Sequence, residues 1–185
     1  MSRALAAGAP AVQLRAKGTS ARELLASGRR LLELTRAAGA LLFLNDRADV
    51  ALALGADGVH VGPDDLPVSA LRPAVPVDFL IGASADDPQV ARRLVDEGAD
   101  YIGCGAVYAT ATKPDAGDVI GLDGLERVAR AVAAPVIAIG GITVERSAEV
   151  AATGAAGVAV VGAVMRAAEV EGTVRGLLAP WAGRR

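Results

Sequence analysis

The sequence predicts a (β/α) barrel of the TIM type, in which seven of the eight parallel strands are visible. Short apolar runs alternate with stretches whose apolar residues recur every three or four positions, the spacing of a helix with one buried face. The apolar runs are nearly continuous, as in strands buried on both faces of a parallel sheet. Glycine-alanine turns precede three of them, and glycine favours the left-handed conformation that ends a helix. This strand-helix-glycine unit recurs about every 20 to 30 residues, as expected for a barrel.

The boundaries of the elements follow from the apolar runs and the spacing between them. The predicted strands are Ala11–Ala16, Ala40–Asn45, Gly58–Val61, Phe79–Ser84, Tyr101–Val107, Pro135–Gly140 and Gly157–Val161. The clearest predicted helices are Ala21–Ala38, Pro88–Glu97, Leu122–Ala133 and Val144–Thr153.

An eight-stranded barrel needs one more strand before the first one predicted. The segment Ser2–Gly8 is typical of the end of a helix and leads directly into a strand. We therefore expect residues 1–185 to form a single barrel domain that is shortened at its N-terminus. Of three outcomes, we expect a barrel with a gap between Ala11–Ala16 and Gly157–Val161, rather than closure of seven strands or a partner chain in the slot.

Composition limits the classes of function. Hydrophobic residues make up 52% of the chain and charged residues 22%, with a net charge of -2, which is typical of a soluble globular domain. No basic stripe or aromatic series indicates nucleic acid, and the most apolar run, Ala151 to Met165, is too short to span a membrane. The single cysteine, Cys104, cannot form an internal disulfide, which fits the cytoplasm.

A loop after the fifth predicted strand has the composition of a phosphate site. Thr110, Thr112 and Lys113 place two hydroxyls and an ammonium close together, groups that suit phosphate oxygens. Glycines at Gly140-Gly141 and after Val161 follow the last two strands, whose loops often hold phosphate on backbone amides in such barrels. Sheet packing alone is not expected to require these paired glycines, which is why they indicate a phosphate site. The alternative for the threonine-lysine loop is an ordinary solvated surface.

The first predicted strand alternates polar and apolar side chains. Gln13, Arg15 and Lys17 are expected on one side, towards the barrel interior, and Val12, Leu14 and Ala16 on the other, against helices. Polar groups inside a barrel need a ligand or water. The alternative is an edge strand with a solvated face.

Two aspartates follow neighbouring strands, Asp46 after the second and Asp65 after the third. Together they could bind Mg²⁺, which takes a few carboxylates and completes its shell with water and phosphate oxygens. Singly, each could cap a helix or shape a turn. Ser84, at the end of the fourth strand, either faces the barrel mouth or caps a helix. His60 is interpreted as an interior histidine without a role.

Five motifs in order resemble the thiamine phosphate synthase family. They are Gln13-Leu14-Arg15-x-Lys17, Asn45-Asp46-Arg47, Gly55 to Pro67, Gly103 to Lys113 and Ile139-Gly140-Gly141-Ile142. The resemblance covers nearly the whole chain. It implies a transferase that joins a pyrimidinylmethyl diphosphate to a thiazole phosphate and gives thiamine phosphate and pyrophosphate. Phosphorylated small molecules are thus the expected partners, and a homo-oligomer is compatible with the sequence.

The resemblance also implies roles for individual residues. The diphosphate substrate would be bound by Gln13, Leu14, Arg15, Ala16, Lys17, Asn45, Ser84 and Lys113, and the thiazole phosphate by Thr110, Ala111, Thr112, Gly141, Val161 and Gly162. Asp46 and Asp65 would bind Mg²⁺. Lys113, Ser84 and Arg15 would act in catalysis.

Two departures from the family keep alternatives open. The family usually has serine where this chain has Gly162. The first strand of the barrel, which is not visible in this sequence, should adjoin the strand that carries Gln13. The chain could therefore be a thiazole tautomerase-like relative or a non-catalytic binder of phosphate ligands. Retention of Lys113, Asp46 and Asp65 weighs against the tautomerase.

Overall fold

The computed structural model describes residues 1–110 and 118–183 of the chain. Over these residues it forms one sheet of seven parallel strands whose spatial order follows the chain. The strands are β1 (Ala11–Leu14), β2 (Leu41–Asn45), β3 (Gly58–Val61), β4 (Leu80–Ser84), β5 (Tyr101–Cys104), β6 (Val136–Ile139) and β7 (Gly157–Ala159). The predicted barrel topology is thus confirmed.

Helices connect each strand to the next. They are α1 (Ser2–Ala6), α2 (Ala21–Ala38), α3 (Ala48–Leu54), α4 (Val68–Leu71), α5 (Pro88–Asp96), α6 (Gly121–Ala131), α7 (Val144–Ala152), α8 (Gly162–Met165) and α9 (Val170–Leu178), with 3₁₀ turns at Arg72–Ala74 and Ala179–Trp181. Within the described part of the chain, no helix is long and apolar enough to cross a membrane.

The two faces of the sheet differ in burial. Side chains that point outwards to the helices, such as Leu42, Val59, Ile81 and Ile102, are fully buried. On the inner face, by contrast, Leu41 is 39% exposed and Ile139 43% exposed. The expectation that the strands are buried on both faces is therefore wrong for the inner face, where the sheet leaves apolar side chains in contact with solvent.

The repeated glycine-alanine turns join three of the helices, α3, α5 and α7, to the following strands. In the first, Gly55 has a φ of 72° and ends α3, because a residue without Cβ adopts this conformation without strain. Asp57 then accepts a hydrogen bond from the Leu42 N–H through its carboxylate, at 2.7 Å. Asp100 makes the equivalent bond to the Ile81 N–H, also at 2.7 Å. These aspartates therefore fix the start of one strand against its neighbour.

The first strand is shorter than predicted and ends at Leu14. Val12 is buried as expected, but Leu14 is only half-buried and Ala16 is exposed. Strict alternation therefore ends before Arg15 and Lys17, which lie in the connection to α2 and not on the strand. The predictions that Ala16 packs against helices and that all three polar residues share one face of a strand are wrong.

The sheet is open between its first and last strands. Among the described residues, β1 pairs only with β2, and β7 pairs only with β6. The gap that we expected is confirmed. The helices nevertheless meet across it, because α1 packs against α9 and Arg3 donates two hydrogen bonds to Glu171, at 2.7 and 2.6 Å.

We expect the amides that face this gap to exchange rapidly with solvent. The Leu41 N–H donates to the Pro10 carbonyl, so by strand alternation the N–H groups of Ala11 and Gln13 point away from β2. Hydrogen–deuterium exchange should be at least about 100-fold faster there than at the amides of β4, which has partners on both sides. Equal protection in β1 and β4 would show that the edge is covered.

Candidate functional site

The polar residues after the first four strands meet at the carboxyl-end edge of the sheet. Asn45 ends β2 and pairs with His60 of β3, and Ser84 ends β4 and pairs with Gly103 of β5. Parallel strands bring these ends to one edge, where such barrels hold their reactive groups. The sheet therefore places Asn45 and Ser84 where the sequence predicted.

Asp46 lies at the centre of this edge. It has a φ of 65°, a conformation in which aspartate and asparagine are more common than other residues with side chains. Its side chain is within hydrogen-bonding reach of the Asp65 carboxyl group. Burial, and then the neighbouring Asp65, raise the pKa of Asp46, while Lys17 and Arg15 oppose the rise. The structure thus brings both predicted acids and both predicted cations together.

Asp65 also shapes the turn after β3. Its Oδ2 accepts a hydrogen bond from the Gly62 N–H at 2.7 Å, and its own N–H donates to the Gly62 carbonyl at 3.3 Å. The interpretation of Asp65 as a turn residue is therefore also correct. The turn holds the Asp65 carboxylate in place beside Asp46.

The carboxylate pair fits a divalent cation. Burial, and then the hydrogen bond and charge of Asp65, raise the pKa of Asp46, and a bound cation would offset the repulsion between the two carboxylates. Mg²⁺ typically takes one or two carboxylates together with substrate phosphates. In residues 1–110 and 118–183 there is no cluster of three or more histidine, cysteine, aspartate or glutamate side chains suited to a metal.

Four polar side chains form a hydrogen-bonded series across the inner face of the sheet. The Gln13 side chain hydrogen-bonds to Tyr101, and the Tyr101 hydroxyl lies 3.0 Å from His60 Nδ1. His60 Nε2 lies 2.9 Å from Ser84 Oγ. The cap of α5 is Asp87, which accepts hydrogen bonds from the Gln89 and Val90 N–H groups. Ser84 therefore faces the barrel interior and does not cap the helix.

Two glycines make room for the rings in this series. A Cβ atom on Gly82 would lie 2.0 Å from Tyr101 Cζ, and one on Gly103 would lie 2.8 Å from His60 Cε1. The edge of one ring faces the other where Phe43 and Tyr101 meet, with centroids 5.4 Å apart. The inner face is thus shaped around His60 and Tyr101.

The opposite side of the mouth is formed by the loops after β5 and β6. The Val107 N–H donates to the Ile139 carbonyl at 2.9 Å, and the Tyr108 N–H donates to the Gly140 carbonyl at 3.1 Å. Gly141 has a φ of 63°, and a Cβ there would lie 2.6 Å from the Ala109 oxygen. A Cβ on Gly140 would likewise lie 2.7 Å from Ala106 Cα, so packing does require these glycines, contrary to our expectation.

Three side chains on and beside α7 brace this pair of loops. Arg146 donates to the Gly141 carbonyl at 2.7 Å, and its guanidinium carbon lies 4.3 Å from the centre of the Tyr108 ring. The Tyr108 hydroxyl donates to the Glu149 carboxylate. Burial, followed by this bond and the Glu149 charge, raises the pKa of Tyr108 to about 12, so the hydroxyl stays protonated near neutral pH.

The remaining predicted residues are only partly placed. Val161 is 53% exposed and precedes α8, which begins at Gly162. Thr110 is half-buried in the loop after β5. Ala111, Thr112 and Lys113 lie outside the described residues, so their predicted roles stay predictions.

Sequence reasoning missed His60, Tyr101, Tyr108 and Arg146. The partners of His60 are 24 and 41 positions away along the chain, so no local pattern indicates them. The glycines of the fifth predicted strand, Gly103 and Gly105, were the available signal, because glycine inside a strand often marks the close approach of another group to the backbone. For Gly103 this is the His60 ring.

Comparison with known proteins gives consistent results. A sequence model described as thiamine monophosphate synthase matches residues 1–164. Thiamine-phosphate synthase of Moorella thermoacetica is 48% identical over 174 residues, which are 94% of this chain and 83% of that protein. The Pyrococcus horikoshii enzyme is 45% identical over 177 residues, 96% of this chain and 84% of that protein.

Solved structures agree with these sequence matches. Thiamine phosphate pyrophosphorylase from Pyrococcus furiosus superposes with a TM-score of 0.88 and 41% identity, over 97% of this chain and 86% of that one. A 3-hexulose-6-phosphate synthase superposes with a TM-score of 0.69 at 19% identity, which shows a shared fold alone. From these matches over most of its length, the chain belongs to the thiamine monophosphate synthase family.

Proposed function

We propose that this chain is a transferase that condenses 4-amino-2-methyl-5-hydroxymethylpyrimidine diphosphate with 4-methyl-5-hydroxyethylthiazole phosphate. The products are thiamine phosphate and pyrophosphate. The observation that best supports this assignment is the contact between Asp46 and Asp65 beside the charges of Arg15 and Lys17. Two acids and two cations at one edge suit a diphosphate with its Mg²⁺, whereas a phosphate monoester needs no second acid.

The reaction has two bond changes. The bond between the pyrimidinyl methylene carbon and the diphosphate oxygen breaks, and its electron pair leaves with the diphosphate. The resulting pyrimidinylmethyl cation is stabilised by resonance, and the thiazole nitrogen then donates its lone pair to form the new carbon–nitrogen bond. Such a step needs little proton transfer and strong stabilisation of the departing negative charge.

The residues at the edge would supply that stabilisation. Arg15, Lys17 and Asn45 would hold the diphosphate oxygens, with Lys113 on the departing group and Gln13 and Ser84 on the pyrimidine side. Asp46 and Asp65 would bind Mg²⁺, which supplies positive charge to the diphosphate when it is bound. The loops of Gly141 and Val161-Gly162, with Thr110 and Thr112, would hold the thiazole phosphate on amides and hydroxyls.

We place the protein in the cytoplasm with phosphorylated small molecules as its partners. Cys104 is buried, and burial raises the pKa of its thiol to about 12. Its thiol is therefore an unreactive part of the core.

Turnover of the purified protein with both substrates and Mg²⁺ tests the proposal. Thiamine phosphate and pyrophosphate should appear in equal amounts. Binding of thiazole phosphate without either product would support the non-catalytic alternative. Conversion of a thiazole phosphate isomer in the absence of the pyrimidine substrate would support the tautomerase.

Replacement of Lys113 by alanine should lower kcat on the order of 100-fold, because one charge that stabilises the departing diphosphate is lost. Lys113→Arg keeps the charge and should retain more activity. Both variants should melt at the parent temperature by circular dichroism. Equal kcat in Lys113→Ala and the parent would exclude this role.

Asp46→Asn and Asp65→Asn should each raise the Mg²⁺ concentration needed for half-maximal activity by about 10-fold or more, since one carboxylate ligand is lost. Asparagine suits the backbone conformation of Asp46, so the fold should be kept. Asp64→Asn is the matched control, because Asp64 is the exposed neighbour of Asp65. A Mg²⁺ titration like that of the control would restrict both aspartates to turn and backbone roles.

A further inference from the structure

His60 occupies a central position in the hydrogen-bonded series on the inner face. Both of its ring nitrogens lie within hydrogen-bonding distance of a hydroxyl, Tyr101 at 3.0 Å and Ser84 at 2.9 Å. The Tyr101 hydroxyl also contacts the Gln13 side chain. The ends of the series, Gln13 and Ser84, are both exposed at the mouth, whereas the two rings between them are partly buried.

The Gln13 amide can donate to the phenol oxygen of Tyr101, which agrees with a bond that lowers the pKa of Tyr101 against the larger rise from burial. With this donor, the number of protons available sets the direction of the other two hydrogen bonds. The single phenol proton is then donated to His60 Nδ1. A neutral imidazole has one N–H, which is therefore on Nε2 and donates to Ser84 Oγ. The Ser84 proton is left to point away from His60.

The sheet is built to hold both rings in this arrangement. Gly82 and Gly103 have ordinary strand conformations, so their backbone angles do not explain the glycines. Their lack of Cβ does, since Cβ atoms there would lie 2.0 Å from Tyr101 and 2.8 Å from His60. Phe43 also makes an edge-to-face contact with Tyr101. The ring positions are therefore fixed by steric constraints and not only by hydrogen bonds.

We propose that His60 is a positioning residue that holds the Ser84 hydroxyl as a hydrogen-bond donor towards an acceptor atom of the pyrimidine substrate. Tyr101 keeps His60 in the tautomer protonated at Nε2, and Gln13 keeps Tyr101 pointing at His60. This inference rests on the proposed function, because it takes the pyrimidine diphosphate as the ligand at Ser84. It gives a role to the one histidine of the chain and to the tyrosine that contacts it.

The tautomer can be measured directly. His60 is the only histidine in the sequence, so an untagged ¹⁵N-labelled sample gives a single imidazole in a long-range ¹H–¹⁵N spectrum. At pH 8 we expect a protonated Nε2 and an unprotonated Nδ1. Tyr101→Phe removes the hydroxyl and keeps the ring, and it should produce a mixture of both tautomers. A parent spectrum with the proton on Nδ1, or on both nitrogens, would overturn the proposal.

Two substitutions of His60 separate its contact with Ser84 from its contact with Tyr101. The amide of glutamine reaches about as far as Nε2, and the amide of asparagine only about as far as Nδ1. His60→Gln should keep the donor to Ser84 and stay within about 3-fold of the parent kcat/KM for the pyrimidine diphosphate. His60→Asn should lose about 10-fold or more, the usual effect of one lost hydrogen bond in a partly buried site. The KM for the thiazole phosphate should change in neither variant.

A double-mutant cycle tests whether His60 acts through Ser84. Ser84→Ala alone should lower kcat/KM about as much as His60→Asn, and the double variant should be no worse than Ser84→Ala. Additive losses, or equal losses for both substrates, would show that His60 only supports the fold. If the parent forms no thiamine phosphate, the proposed function fails. The same cycle can then be measured with the affinity for the pyrimidine diphosphate, by calorimetry. Additive losses of affinity would again overturn the role of His60.

Discussion

Burial of the outer face of the sheet is the constraint on which the site depends. Leu42, Val59, Ile81 and Ile102 are completely buried beneath the helices, and each such side chain stabilises the fold by about 1.5–3 kcal/mol. A shift of one residue in any strand would turn these side chains to the wrong face. The register is therefore fixed, and with it the alignment of the strand ends that brings Asn45, Asp46 and Ser84 to one edge.

The inner face of the sheet, unlike the outer face, is polar and partly exposed. Because the outer face is buried, the inner face can carry polar side chains near the mouth. The interior is also partly open, because among the described residues β1 and β7 each pair on one side only. Space there is set by glycine: Gly82 and Gly103 admit the Tyr101 and His60 rings. The charges gather at the strand ends, where Asp46 and Asp65 meet Arg15 and Lys17. The charged groups and the histidine and tyrosine rings thus occupy neighbouring but distinct parts of one surface.

The sequence allowed the topology and the acidic pair to be predicted, because both follow from strand order and from what comes after each strand. Beyond the end of a strand, the sequence does not predict which way a side chain points. The alternation expected for Arg15 and Lys17 was therefore wrong, because β1 ends at Leu14. Nor could the sequence indicate the His60 contacts, which join residues on three strands. Glycine at Gly103 within β5 is typical of close packing against the backbone, but only the fold shows that His60 fills that space.

Binding of the diphosphate and its metal at the edge of Asp46 and Asp65 is the central feature of the proposed function. The most direct test is a crystal structure of the protein with the pyrimidine diphosphate and Mn²⁺ in place of Mg²⁺, with the metal located by its anomalous scattering. We expect one anomalous peak within about 2.5 Å of a carboxylate oxygen of each aspartate, with the diphosphate oxygens against Arg15 and Lys17. A metal bound elsewhere, or a diphosphate held by the glycine loops after β6 and β7, would contradict the assignment.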